Sequence, residues 1–177
     1  THPEVEAKLL AELDNVLGDK PLTMETLSQL SYNEQVVKEA LRLLPVTTVV
    51  SRQAVEAVEF NGYSIPKGAQ VLVSPWTLHR RDDIYPQPEQ FDPERFSAEN
   101  EDAIPKHGYI PFSTGPRICI GNAFATLQMR AMLATIYQHY RLRVPEDYQM
   151  EYLWRFNMRP QNGLPMLLES RQPVATH

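Results

Sequence analysis

Apolar positions in the first third of the chain recur at helical spacing. Val5, Leu9, Leu10, Leu13, Val16 and Leu17 form one stripe, which predicts a helix opened by Pro3, with Thr1 or His2 near its cap, and closed by Gly18. Thr23 begins a short second helix with Leu27 and Leu30 on its apolar side. Val36, Val37, Ala40, Leu43 and Leu44 give a third stripe, so a helix is expected over Asn33 to Leu43, ended by Pro45. The period then changes. Val49, Ser51 and the alternation through Val55, Ala57 and Glu59 read as a strand, Asn61-Gly62 as a hairpin turn, and Tyr63-Ser64-Ile65 as its return. Pro66-Lys67-Gly68 makes a second turn before a strand from Gln70 to Val73, and a short helix fits Pro75 to Leu78.

From Arg81 to Pro111 periodicity is lost, yet Tyr85, Phe91, Phe96, Tyr109 and Phe112 are spaced like anchors. An ordered meander is expected rather than a disordered linker. The longest helix follows, from Asn122 to Tyr140, with Phe124, Leu127, Met132, Leu133 and Ile136 facing inward. The tail alternates again over Tyr140 to Val144 and Met158 to Leu168, with a turn at Asn162-Gly163. The fold class is therefore α+β and mainly helical.

The 177 residues suffice for one domain with a real core. Seventeen basic against 22 acidic side chains give a formal charge of −5, which argues against a nucleic-acid binder. Fifteen prolines against seven glycines is the unusual ratio, and more than half of the prolines lie between Pro66 and Pro116. No apolar run is long enough to span a bilayer. That absence says little about location, which is left unknown, with the cytoplasm favoured and a membrane anchor ahead of Thr1 compatible. Thr1-His2-Pro3-Glu4 enters a helical pattern with no methionine, so a fragment of a longer protein is expected.

Cys119 is the single cysteine, in Phe112-Ser113-Thr114-Gly115-Pro116-Arg117-Ile118-Cys119-Ile120-Gly121. A lone cysteine is ordinarily a small buried hydrophobe, and it forms no internal disulfide or thiolate-rich zinc site. His2, His107, His139 and His177 share no metal-ligand spacing. On the third helix Glu39 and Arg42 stand three apart and share a face, which in an anonymous helix is an exposed ion pair of small worth.

These neighbourhoods change the reading. The cysteine stretch resembles the haem-binding loop of the cytochrome P450 family, F-x-x-G-x-R-x-C-x-G, with every fixed position filled. Glu39 to Arg42, followed by Leu43-Leu44-Pro45, is similar to the family's E-x-x-R helix and its break. Phe91-Asp92-Pro93-Glu94-Arg95-Phe96 resembles the family's meander segment. The resemblance runs from Thr1 to about Leu168, and all three motifs keep the family's order. It implies the carboxy-terminal part, over 1–177, of a single cytochrome P450 domain.

The resemblance implies haem b as cofactor, with Cys119 as the thiolate ligand of its iron and the catalytic residue. Thiolate ligation pushes electron density onto the metal. It places Arg117 and Arg52 against the haem propionates and Phe112 near the sulfur. Gly115 and Gly121 let the backbone pass close beneath the macrocycle. Glu39, Arg42 and Arg95 are expected to form a structural charge cluster, one carboxylate held bidentately by each of two guanidiniums. Thr47, Thr48, Val49, Val50 and Phe156 would border the substrate pocket. His79, in His79-Arg80-Arg81-Asp82, is taken as structural. Lys106, Arg117 and Arg130 could offer a basic face to an acidic electron donor.

The implied activity is a monooxygenase inserting one oxygen atom from O2 into an apolar small molecule. Its electrons would come from a ferredoxin, flavodoxin or flavoprotein reductase. The family's central helix, with an acid–threonine pair for proton delivery, would lie before Thr1 in the missing amino-terminal half of the protein. The 177 residues alone are therefore not expected to close a haem pocket. The competing reading is a catalytically incompetent haem-binding or structural remnant.

Overall fold

The computed structural model describes residues 2–154 and 157–172. Helix α1 spans Pro3–Val16, α2 Met24–Gln29 and α3 Ser31–Leu43. His2 is the cap of α1 but gives no side-chain hydrogen bond, so Pro3 at the first turn sets its entry. Its exit is closed by the Gly18 N–H on the Leu13 carbonyl at 3.1 Å. Thr23 caps α2 reciprocally with Thr26.

Helix α3 starts two residues before the position its apolar stripe suggests. The reason is tertiary: the Glu12 carboxylate of α1 accepts the Tyr32 N–H at 2.6 Å and the Asn33 N–H at 2.8 Å. Those donors would otherwise be orphaned at the helix start.

The 49–59 stretch is two strands rather than one. Strand β1 covers Val50–Gln53 and β2 covers Val58–Phe60. β2 pairs antiparallel with β3, Tyr63–Ile65, whereas β1 pairs with β4, Gln70–Val73. The chain leaves the first ladder at Ala54, which donates to Ala69 O at 2.9 Å and accepts from Gly68 N–H at 2.8 Å. Asn61 and Gly62 both take positive φ, 49° and 80°, as a two-residue hairpin requires. Helix α4, Pro75–Leu78, is capped by Ser74, whose hydroxyl accepts the Thr77 N–H.

The meander is ordered, with Tyr85 and Phe96 buried and a 3-10 turn at Pro93–Phe96. Helix α5, Asn122–His139, follows the cysteine loop. Its inward side differs from the expectation. Leu127 and Leu133 pack against the core of Leu9, Leu13, Leu17, Leu27, Leu30 and Ala134, but Phe124 and Met132 are 70% and 54% exposed. An all-round apolar helix does not announce which side faces its neighbours. Here the deepest positions are Ala134 and Gln138, the latter donating to the Gly18 and Lys20 carbonyls at 3.0 and 2.7 Å.

In the tail, β5 (Tyr140–Arg143) pairs with β8 (Leu167–Ser170), and β6 (Tyr152–Trp154) with β7 (Met158–Pro160). The 158–168 alternation thus serves two separate ladders. No helix among the described residues is long and apolar enough to cross a membrane.

Candidate functional site

Three motifs distant in sequence meet through buried hydrogen bonds. On α3, Glu39 and Arg42 are wholly buried. The Arg42 fork grips both Glu39 oxygens, Nε to Oε2 at 2.7 Å and Nη2 to Oε1 at 2.8 Å. Its remaining N–H groups reach the carbonyls of His79 and Pro88, both at 2.7 Å, and Gln90 at 3.1 Å. The face of Tyr85 lies 5.0 Å from the guanidinium carbon, and burial pushes the Tyr85 phenol up to about 12.

Arg95 joins this cluster less closely than its motif suggests. Its Nε stands 3.6 Å from Glu39 Oε1, an ion pair without a hydrogen bond. Its Nη2 instead donates to the carbonyls of Pro86 and Gln87 at 2.6 and 3.0 Å. The acceptor site on Glu39 Oε1 is taken by the Asp92 N–H at 2.8 Å. The carboxylate is therefore shared between one bidentate arginine and the meander backbone.

His79 carries the connection onward. Ile110 N–H donates to its Nε2 at 2.9 Å, so Nε2 is the bare nitrogen and Nδ1–H donates to Arg42 O at 3.1 Å. Burial, with smaller contributions from the Arg42 and Arg80 charges, lowers its pKa to about 4. Beyond Ile110, Ser113 N–H returns to the Ile110 carbonyl at 3.0 Å, and Cys119 N–H donates to Phe112 O at 3.0 Å. Both hydrogen bonds fold the cysteine loop onto the segment that His79 holds.

Cys119 is exposed and lines an apolar-walled cavity of about 420 Å³ with Leu41, Val46, Thr47, Val50, Pro111, Phe112, Ser113, Arg117 and Asn157. Of the four pocket residues expected after the helix break, Thr47 and Val50 line it. Thr48 turns into the interior and Val49 faces outward. Leu41, Val46, Pro111 and Asn157 are wall residues that sequence reading did not single out. Asn157 pairs with Thr47 across an isolated bridge, a long-range contact with no local signal. Phe156 lies outside the described residues.

Arg117 makes no hydrogen bond or ion pair among the described residues. The exposed Arg52 donates to its neighbour's Ser51 carbonyl at 2.8 Å and to Ser113 Oγ at 3.3 Å. Ser113 itself has a φ of 65° and Gly115 one of 73°, so the loop turns through left-handed backbone at both. At Gly121 φ is −90°, and a Cβ would meet Cys119 Sγ at an ordinary 3.9 Å, so nothing among the described residues demands glycine there. Arg130 does not belong to a free basic face. It pairs with Glu34 at 2.8 Å and donates to the Leu27 and Leu30 carbonyls.

Residues 1–164 match the Cytochrome P450 family profile. The chain belongs to the cytochrome P450 family. It is 38% identical over 179 residues to lithocholate 6-beta-hydroxylase of Mesocricetus auratus, covering 99% of this chain and 36% of that protein. To cytochrome P450 4V2 of Homo sapiens it is 39% identical over 176 residues, covering 97% of this chain and 33% of the relative. The crystal structure of the cytochrome P450DA heme domain superimposes with a TM-score of 0.91 at 29% identity, over 99% of this chain and 40% of that one. The P450 fold is thus established, and the chain spans about a third of the length of the curated relatives it matches.

Haem b is the cofactor of this cytochrome P450 family. The donor set at the cavity suits it: one accessible thiol, apolar walls, and Arg117 in the wall without a partner among the described residues, with the exposed Arg52 next to it on the wall residue Ser113. An iron porphyrin needs an axial ligand, a dry surface for its ring and cations for its carboxylates, and each is present.

Proposed function

We propose that this chain is the haem-ligating part of a haem-thiolate monooxygenase that inserts one oxygen atom from O2 into an apolar small molecule. The observation that carries the reading is the exposed Cys119 thiol set in an apolar cavity that also takes in Arg117. Cys119 is assigned as the axial ligand, and Arg117 and Arg52 as partners of the propionates. Phe112 and the Gly115 turn shape the loop beneath the ring. Bound haem would supply O2 activation. This chain's residues would hold the ligand sulfur in place and, through Val46, Thr47, Val50 and Asn157, keep water from the bound substrate. Hydroxylation as the reaction is supported by one relative, lithocholate 6-beta-hydroxylase.

A ferredoxin, flavodoxin or flavoprotein reductase would deliver the electrons. The rest of the protein would complete the haem enclosure. Supporting that, α3 and α5 leave an apolar groove of about 430 Å³ lined by Val36, Ala40, Leu44, Met129, Met132 and Ile136.

A second reading, a haem-binding or structural remnant without turnover, applies to the 177 residues by themselves. Ile118, Ile120 and Phe124 around the cysteine are 49%, 102% and 70% exposed, so these residues do not enclose a macrocycle. The two readings separate by producing the full-length protein and the 177 residues side by side. Haem uptake and the absorbance of the reduced carbonmonoxy complex are then recorded. Thiolate-type absorbance and product formation in the full-length protein, lost in Cys119→Ser, is the result expected. Retention of that absorbance by Cys119→Ser would defeat the assignment.

A further inference from the structure

Besides the cysteine loop with its approach at Pro111, and Leu41 on α3, two stretches of chain wall the Cys119 cavity: Val46, Thr47 and Val50 on one hand, Asn157 on the other. They are joined to each other by the Thr47–Asn157 bridge and by Met158 N–H on Val46 O at 2.8 Å. The β6–β7 ladder that carries Asn157 has only three residue pairs, too few to be rigid alone.

Trp76, on α4, holds both stretches. Its N–H points to Thr48 O at 3.5 Å, where the Ser74 hydroxyl also donates at 3.0 Å. Its ring meets Trp154 edge-on, with centroids 4.7 Å apart at 88°. Trp154 stands opposite Met158 in the β6–β7 register, so the contact anchors the hairpin beside the cavity wall. Arg80 fixes the other partner. Its guanidinium carbon lies 3.3 Å from the Trp76 ring centre. Its Nη2 donates to Leu43 O at 2.7 Å, and its Nε pairs with Glu89 at 2.9 Å. None of Trp76, Arg80 or Trp154 lines the cavity.

The geometry points to the Trp76–Arg80–Trp154 stack as a specificity-positioning device that sets the cavity's width for an apolar ligand beside Cys119 without touching that ligand. The inference rests on the haem-site reading of Cys119. Losing the edge-on contact frees the hairpin, and Asn157 moves with it. A bulky ligand meets the displaced wall, whereas a small one does not.

The test uses full-length, haem-loaded protein titrated optically with imidazole and with 4-phenylimidazole, a small and a bulky iron-binding probe. Trp154→Ala and Trp76→Ala should each shift the ratio of the two dissociation constants about three- to tenfold, the worth of one aromatic pair. The double variant should go no further than the larger single effect, and Trp154→Phe should keep the parent ratio. Equal weakening of both probes, or additive effects in the double variant, overturns the proposal. Should the alanine variants lose haem, Trp154→Leu replaces them. A ratio shared by Trp154→Leu and Trp154→Phe is then the overturning result, because only phenylalanine offers a ring edge. Amide exchange gives a haem-independent check: in Trp154→Ala the Trp76 and Met158 amides should accelerate together, and acceleration confined to 157–160 refutes the coupling. A parent protein that binds neither azole counts against the haem-site reading instead, a result distinct from an unchanged ratio.

Discussion

His79 accepts the Ile110 N–H at 2.9 Å while donating to the Arg42 carbonyl at 3.1 Å, so one imidazole ties the charged helix to the approach of the cysteine loop. The Ile110 bond does not survive if the ring gains a second proton, because Nε2 then becomes a donor facing a donor, while Nδ1–H still donates to Arg42 O.

That gives a pH dependence with a defined sign. The folded-state pKa is lowered from 6.5 to about 4, chiefly by burial. Between those values the unfolded chain binds the proton and the folded chain does not. Stability from this group is complete above the unfolded value and is lost as pH falls toward about 4, by at most about 3 kcal/mol. Chemical denaturation of full-length protein across that window should show the slope. His79→Gln should flatten it, and an undiminished slope in that variant would contradict the assignment.

Glu39→Gln removes the charge facing Arg42 in a site with no exposure. Breaking one partner of a buried pair leaves the other uncompensated, at a cost of about 3–5 kcal/mol. Arg95→Ala should cost clearly less, since its nearest approach to Glu39 is 3.6 Å and it is partly exposed. Denaturation midpoints of the two variants order the contributions, and an equal loss in both would be inconsistent with the geometry.

Arg117→Ala and Arg52→Ala are expected to leave the fold intact and weaken haem retention, Arg117→Ala by about tenfold, the scale of one charge-assisted hydrogen bond, and Arg52→Ala by less. Transfer of haem to apomyoglobin measures this. Arg52 must first give up its contact with Ser113, so its effect should be the smaller.

Glu12→Ala should destabilise by about 1–2 kcal/mol, since two N–H groups at the start of α3 lose their acceptor. Fraying at Ser31–Asn33, read by amide exchange, should accompany it. A loss without fraying would place the effect elsewhere.

Much of this was legible along the chain because the signals are local. Periodic leucines mark α1, Asn61-Gly62 marks the hairpin, the Glu39–Arg42 spacing marks the buried ion pair, and the Cys119 stretch marks the candidate site. The differences arise where distant groups decide. The Glu12 carboxylate moved the start of α3, and the Ala69 and Gly68 partners split the β1–β2 stretch. Asp92 N–H took the place on Glu39 that a second bidentate arginine would have filled. On α5 the apolar residues encircle the helix, so periodicity alone did not separate Phe124 and Met132 from Leu127 and Leu133. In the cavity wall, Asn157 arrives through a bridge that no spacing encodes.

Gln138 holds Gly18 O, in the turn that follows α1, from 120 positions away, and Glu12 closes the amide end of α3. The Gly18 turn closes α1 locally, but its own carbonyl gains a partner only when α5 docks. The start of α3 needs only its near neighbour α1, so the first turn of α3 can be completed early, whereas the turn after α1 waits for the far end of the chain.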